Sequence, residues 1–323
     1  MADTTESDSK LIYLILLVPG LMALIAGLVI HSFIIGVNVS DWWRGRSVTP
    51  VDLIVTSLGM SRICSQSTIT LYLIVFTFFV NSLDSHVSLV IIYRMYAFFT
   101  YMNIWLTSLL SIVLCLKISN LHTRLFLYLR RIILHRTGRL IVVFGILSAL
   151  NSLLSLLLAT TKAPKNGTYN DVIDGPFTDC SHITSIYAFA VGGFFPLLFY
   201  SMSSVLLFVS LYHHTTRMKM SSNLSINLET YYSVMNFISC TFLYNTLYFI
   251  GHFVTIFYYY FYCINFTWIL IVLGILSLPH SSYLIYKTAK LRSQMFKVLQ
   301  DVTGFFFQSR NSENIENIEI VSI

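Results

Sequence analysis

Two pairs of residues recur at a spacing suited to gripping a small molecule. Tyr96 and Thr100 are four apart, as are Tyr248 and His252, so on a helix each pair shares one face and offers an aromatic wall beside a polar anchor. A third feature is Arg62, a lone guanidinium inside a long apolar run, which costs about 2.5–3.5 kcal/mol at mid-membrane unless it finds partners. His31, His280 and Ser281 stand at the depths where neighbouring apolar segments should pass it. Arg62 lies about three turns above the nearest basic loop, too deep to snorkel comfortably. Hydrolytic chemistry has no candidates. The sequence holds no His-Glu-x-x-His, no Gly-x-Ser-x-Gly and no glycine-rich phosphate loop. Apart from the interfacial Asp52, acids are nearly absent from the apolar runs, so neither an enzyme nor a carboxylate-driven transporter is expected. No metal site or cofactor is implied.

The elements that must hold these residues are membrane-spanning helices. The 323 residues are 56% hydrophobic and 11% charged, with a mean hydropathy of +0.73, whereas soluble domains carry charge at roughly a quarter of positions. Seven apolar stretches are long enough to span, at about 20 residues each: 11–37, 51–80, 87–116, 138–160, 184–212, 230–258 and 264–286. None alternates with period two, so helices are predicted and a barrel is not. The expected fold is an all-α seven-helix bundle forming one domain over residues 1–323. Leu291, Met295, Phe296 and Leu299 interleave with Lys290, Arg292 and Lys297, which predicts a short amphipathic helix on the inner leaflet after the seventh span.

Orientation follows from Lys and Arg. With the N-terminus outside, fifteen of the twenty fall in cytoplasmic segments, three outside (Lys10, Lys162, Lys165), and Arg62 and Arg94 within helices. A multi-pass plasma-membrane protein with a cytoplasmic tail is expected, its net charge of +6 serving anionic lipid heads and a cytosolic partner rather than nucleic acid. The acidic start, Asp3, Glu6 and Asp8, does not read as a cleaved signal peptide, so the first helix is expected to act as a signal anchor. Asn166-Gly-Thr168 is a glycosylation sequon in the longest outer loop. Asn38-Val-Ser40 would be cytosolic and bare. Of five cysteines, only Cys180 and Cys263 fall where an oxidising compartment would let them pair.

The internal motifs narrow the class. Asp-Arg-Tyr after the third helix and Asn-Pro-x-x-Tyr in the seventh are both missing. Instead the second helix begins Asp52-Leu-Ile-Val-Thr-Ser-Leu-Gly-Met-Ser61-Arg62-Ile63, and the third reads Trp105-Leu-Thr-Ser-Leu-Leu-Ser111, then Leu116-Lys117-Ile118-Ser119-Asn120. The fifth runs from Pro196 to Ser210-Leu-Tyr-His213-His214 and Met218, and the seventh ends His280-Ser281-Ser-Tyr-Leu284, with Lys290-Leu-Arg292 following. In this order the motifs resemble those of the bitter-taste (type 2 taste) receptors, a family of G-protein-coupled receptors. The pheromone-type (vomeronasal type 1) receptors are the nearest rival, and the Leu-Lys-Ile-Ser-Asn stretch favours taste. The departures are His31 for the family's Asn, Tyr96 for its Trp, and Tyr231 and Asn236 for its sixth-helix His and Lys.

The resemblance implies roles. Arg62, with His31, His280 and Ser281, would form the central polar lock that shifts on activation. Tyr248-Phe249 aligns with the family's sixth-helix Tyr-Phe, which makes Tyr248 the expected switch. Diverse small bitter compounds would bind between the outer halves of the third, fifth, sixth and seventh helices, against Tyr96, Thr100, Tyr248 and His252, with Phe99, Phe189 and Leu270 adding apolar wall. Arg94 would attract an anionic ligand or pair with Asp84 or Asp171. Inside, Lys117, Asn120 and Arg124 on a cytoplasmic extension of the third helix, with His214, Arg217 and Met218 at the foot of the fifth, would receive a gustducin-like or inhibitory-type heterotrimeric G protein.

Overall fold

The computed structural model describes residues 2–79, 83–119, 124–161, 190–220, 225–262, 267–301 and 303–304. Helices account for nearly all of them: α1 (Ala2–Trp43), α2 (Pro50–Phe79), α3 (Leu83–Ile118), α4 (Arg124–His135), α5 (Thr137–Thr161), α6 (Phe195–Met220), α7 (Ser225–Tyr262), α8 (Thr267–Lys287) and α9 (289–301). Among the described residues, five stretches are long and apolar enough to cross a membrane, on α1, α3, α5, α6 and α7. The remaining long helices are α2, which carries Asp52, Arg62 and Gln66, and α8, which carries Pro279. With α2 and α8 these make the seven-helix bundle, and α4 and α9 are the two short additions. The chain divides into two compact units, Met1–His280 and Ser281–Ile323.

Within the first unit α3 is the axis. Its span is 78% buried, against 22% for α5 and 28% for α1, and Ile104, Leu106 and Val113 are fully enclosed. The outer helices therefore turn most of their apolar side chains away from protein, as a helix whose solvent is lipid must. Polar joints sew the others to α2 and α3. Asn38 on α1 donates to the Thr56 hydroxyl on α2 at 2.9 Å, so the amide of the Asn38 sequon is buried in the bundle. Ser61 donates to the Phe99 carbonyl at 3.1 Å. Ser108 donates to the Pro196 carbonyl at 2.8 Å, and Ser203, Ser111 and Ser204 form a hydroxyl chain with 2.8 Å links. Trp105, prominent in the third-helix motif, stacks on Phe144 of α5 with centroids 4.7 Å apart. Its role there is packing.

Two local features depart from plain helix. A π-turn, Ala190–Phe194, opens α6. Gly192 lies there against Tyr101 and Asn151, so closely that a Cβ would collide with the tyrosine ring. The second is a correction. The extension expected of the third helix is not continuous with it among the described residues: α3 stops at Ile118, Ser119 is not helical, and Arg124–His135 is a helix of its own. Ser119 closes the last turn, its N–H donating to the Cys115 carbonyl at 2.9 Å. Burial of Phe126 in a cluster with Leu207, Leu211 and Ile238 rewards a separate helix there over a straight extension of α3.

In the second unit, Thr288 separates α8 from α9, with the Thr288 N–H on the Leu284 carbonyl and the Arg292 N–H on the Thr288 carbonyl. Lys287 sits over the rings of Tyr283 and Tyr286, 5.9 and 5.7 Å from their centroids. Leu291 on α9 is buried, while Phe296 and Leu299 are half exposed.

Candidate functional site

The candidate site is built around Arg62. Its side chain is 5% exposed on α2, and Nη1 lies 3.3 Å from Nδ1 of His280 on α8. A guanidinium can only donate, so His280 accepts through Nδ1 and carries its proton on Nε2. His31 of α1, 1% exposed, and Tyr248 of α7 are both within electrostatic reach of the same guanidinium. Three of the four residues expected at the polar lock, Arg62, His31 and His280, are thus gathered in one place. Ser281 is buried and begins the second unit.

One turn further along α2, Gln66 ties three helices together. Its amide nitrogen donates to the Gly274 carbonyl at 3.2 Å and lies 3.5 Å from the Ser277 hydroxyl, both on α8. These bonds fix which end of the amide is nitrogen. The oxygen then faces α1 at Gly27, where a Cβ would overlap it. Gly27 is needed here for close approach.

Above this layer a small cavity opens between α2, α3, α7 and α8. Arg62, Ser65 and Gln66 line one wall, and Tyr96, Thr100 and Asn103 a second. Tyr248 and His252 face them, with Leu273, Gly274 and Ser277 on α8. The rings of Tyr248 and His252 meet edge to face with centroids 4.5 Å apart. Tyr248 is held from behind by Ile104, Tyr200, Phe249 and Leu273. No carboxylate lines the cavity among the described residues. Its free volume is about 20 Å³, room for one water and far below the roughly 300–1,000 Å³ of sites that enclose drug-sized ligands.

Four expected ligand-site residues, Tyr96, Thr100, Tyr248 and His252, therefore share one cavity, and α2 joins it where the fifth span was expected. Phe99 does not line it. Its ring packs on Phe98 at 4.9 Å, and its carbonyl receives Ser61. The Leu270 side chain, Phe189, Asn166, Cys180 and Cys263 lie outside the described residues. Gln66, Asn103 and Ser277 were missed. The signal was spacing: Gln66 is four residues from Arg62, and Asn103 is three from Thr100 and seven from Tyr96, each on the face already chosen.

At the opposite end, Lys117 and Arg124 are exposed at the end of α3 and the start of α4. Phe126 of α4 is buried among Cys115, Leu116, Leu207, Leu211 and Ile238, which pins α4 under α3, α6 and α7. His214, Arg217 and Met218 fall on the last turns of α6, their side chains outside the description, as is Asn120. Cys64, Cys115 and Cys240 are free thiols.

Comparison with known proteins bears on the family and the fold. The family described as Taste receptor protein (TAS2R) matches residues 7–303. Taste receptor type 2 member 16 of Homo sapiens is 27% identical over 237 residues, covering 70% of this chain and 76% of that one. The protein of the same name from Rattus norvegicus is 28% identical over 234 residues, covering 67% and 72%. Taste receptor type 2 member 2 of Homo sapiens is 25% identical over 209 residues, covering 63% and 68%. Among solved structures, squid rhodopsin superposes with a TM-score of 0.63 at 12% identity, over 91% of this chain and 87% of that one. That likeness concerns the fold.

Proposed function

Since the chain belongs to the taste receptor type 2 family, which comprises membrane G-protein-coupled receptors and not enzymes, we propose that it is a bitter taste receptor at the plasma membrane. In this reading residues 1–323 form one receptor domain with the N-terminus outside. Diverse small bitter compounds enter the extracellular half of the bundle, and a gustducin-like or inhibitory-type heterotrimeric G protein docks on the cytoplasmic side. Lys117, Asn120 and Arg124 form one wall of that dock, and His214, Arg217 and Met218 the other. Asn166 carries a glycan, and Cys180 pairs with Cys263.

The observation that carries the reading is the shared wall of cavity and lock. Tyr248 lines the cavity from α7 and lies within electrostatic reach of Arg62, which bonds to His280 on α8. A compound that enlarges the cavity on the Tyr248 side changes, through Tyr248, the surroundings of the guanidinium. An agonist acts by binding the rearranged bundle more tightly than the resting one. The small free volume supports this, because a ligand of ordinary size needs α7 or α8 to move outward before it fits.

The test is calcium imaging of cells expressing the chain with a promiscuous gustducin-type chimera, challenged with a panel of bitter compounds. Dose-dependent responses that vanish in Tyr248→Ala, with surface display retained, are expected. Silence from a protein proven to be at the surface, across a broad panel, counts against the bitter-receptor reading.

A further inference from the structure

The helix between the third and fourth spans is strongly sided, and its placement is tightly constrained. The apolar span on α3 ends at Ile118 and the one on α5 begins at Thr137, with α4 between them at Arg124–His135. Only Arg136 separates α4 from α5, and backbone bonds run through it from Ile132 to Leu140. An apolar span adjoins each end of this stretch, so α4, about 18 Å long at 1.5 Å per residue, is held at the edge of the bilayer.

Its faces sort by helical spacing. Phe126 belongs to a buried cluster with Leu207 and Leu211, and Ile133 packs against that cluster. The neighbouring arc, Tyr128, Leu129 and Ile132, is apolar, with Tyr128 64% and Leu129 38% exposed and Ile132 partly buried. The far arc carries Arg124, Arg131 and His135, all exposed. Arg136 and Arg139 follow, and no Asp or Glu occurs anywhere from Ile118 to Leu140. Cations beside a partly exposed apolar arc, at bilayer depth, complement a surface with anionic heads above hydrocarbon.

We propose that α4 is an anionic-phospholipid-binding helix: Tyr128, Leu129 and Ile132 enter the acyl boundary while Arg124, Arg131 and Arg136 pair with phosphate or carboxylate headgroups. This goes beyond the receptor reading and depends only on the chain's being in a membrane. Phe126 couples the lipid contact to the core between α3, α6 and α7, so lipid charge would bias the part of the bundle to which a G protein is expected to dock.

The experiment is hydrogen exchange read by mass spectrometry on the full chain. It is embedded in nanodiscs of phosphatidylcholine alone or of phosphatidylcholine mixed with phosphatidylserine. Both leaflets carry the serine lipid, so the outcome does not depend on orientation. Exchange across 124–135 is expected to slow by at least about five-fold with phosphatidylserine, the effect of one basic residue at an anionic surface. The Arg131→Gln/Arg136→Gln variant, which alters only exposed side chains outside the proposed G-protein dock, should lose the effect. Equal exchange in both discs overturns the proposal, as does protection that survives in the variant. Protection that appears only when a G protein is added makes α4 a protein-docking helix and overturns it too. A positive calcium response without lipid dependence leaves the receptor reading standing and this one fallen.

Discussion

Arg62 and His280 meet at 3.3 Å between α2 and α8, and the bond can run only one way. The guanidinium gives the proton and Nδ1 of the imidazole accepts it, so the joint needs a neutral histidine with its remaining proton on Nε2. Exchanging either partner for a like-sized apolar residue removes this charge-assisted bond. His280→Leu should destabilise the receptor by about 1.5–3 kcal/mol, the usual worth of a hydrogen bond to a charged group. Arg62→Ala should abolish both ligand-driven signalling and much of the surface display. Thermal unfolding of purified His280→Leu, with surface labelling of Arg62→Ala, checks the pair. Unchanged stability and signalling in both would remove the lock from the mechanism.

Gln66 gives a prediction with its own rescue. Gly27→Val places a side chain where the Gln66 oxygen now lies, and the overlap should cost about 1–3 kcal/mol. Gln66→Ala alone should also weaken the bundle, because the bonds to Gly274 and Ser277 go. Combined, the two changes remove the clash. The double variant should be at least as stable as Gly27→Val alone, a non-additivity that a double-mutant cycle measures. Strict additivity would mean that the two sites do not touch.

Much of this arrangement was legible in the sequence. The seven apolar stretches have only one good solution in lipid, and a guanidinium as deep as Arg62 must find partners, so the sequence itself points to a polar centre there. Helical spacing paired Tyr96 with Thr100 and Tyr248 with His252. Periodicity does not tell which neighbour a helix faces, and that is why α2 was not expected in the cavity wall and Gln66 was overlooked. The break after Ile118 escaped for another reason: a run from Leu109 to Arg131 reads as helix-compatible throughout, and spacing along one helix does not show that Phe126 joins a buried cluster with Leu207, Leu211 and Ile238.

Tyr248 and His252 should be separable. Tyr248 packs on Ile104, Phe249 and Leu273 as well as facing the cavity, so Tyr248→Phe should keep the fold and blunt the response. Tyr248→Ala should also cost stability, on the order of 3 kcal/mol for a large buried aromatic. His252→Ala enlarges the cavity at its rim and should alter which compounds act without lowering surface display. Dose–response curves for one panel across the three variants distinguish a hydroxyl-dependent switch from a packing role. If Tyr248→Phe responds like the parent, packing is the whole of it.

Phe126 is the remaining anchor. It shares a buried cluster with Cys115, Leu116, Leu207, Leu211 and Ile238, side chains drawn from α3, α6 and α7. Phe126→Ala should cost about 3–5 kcal/mol if the space it leaves stays open. Because α4 is otherwise largely uncovered, most of that loss should appear as local detachment rather than global unfolding. The expected signature is faster hydrogen exchange across 124–135, with near-normal exchange in α2 and α3 and with G-protein activation reduced while ligand-induced stabilisation persists. Phe126→Leu, which keeps most of the apolar volume, should recover coupling in large part. Exchange that rises uniformly through the bundle would instead make Phe126 an ordinary core residue, with no special hold on the loop helix.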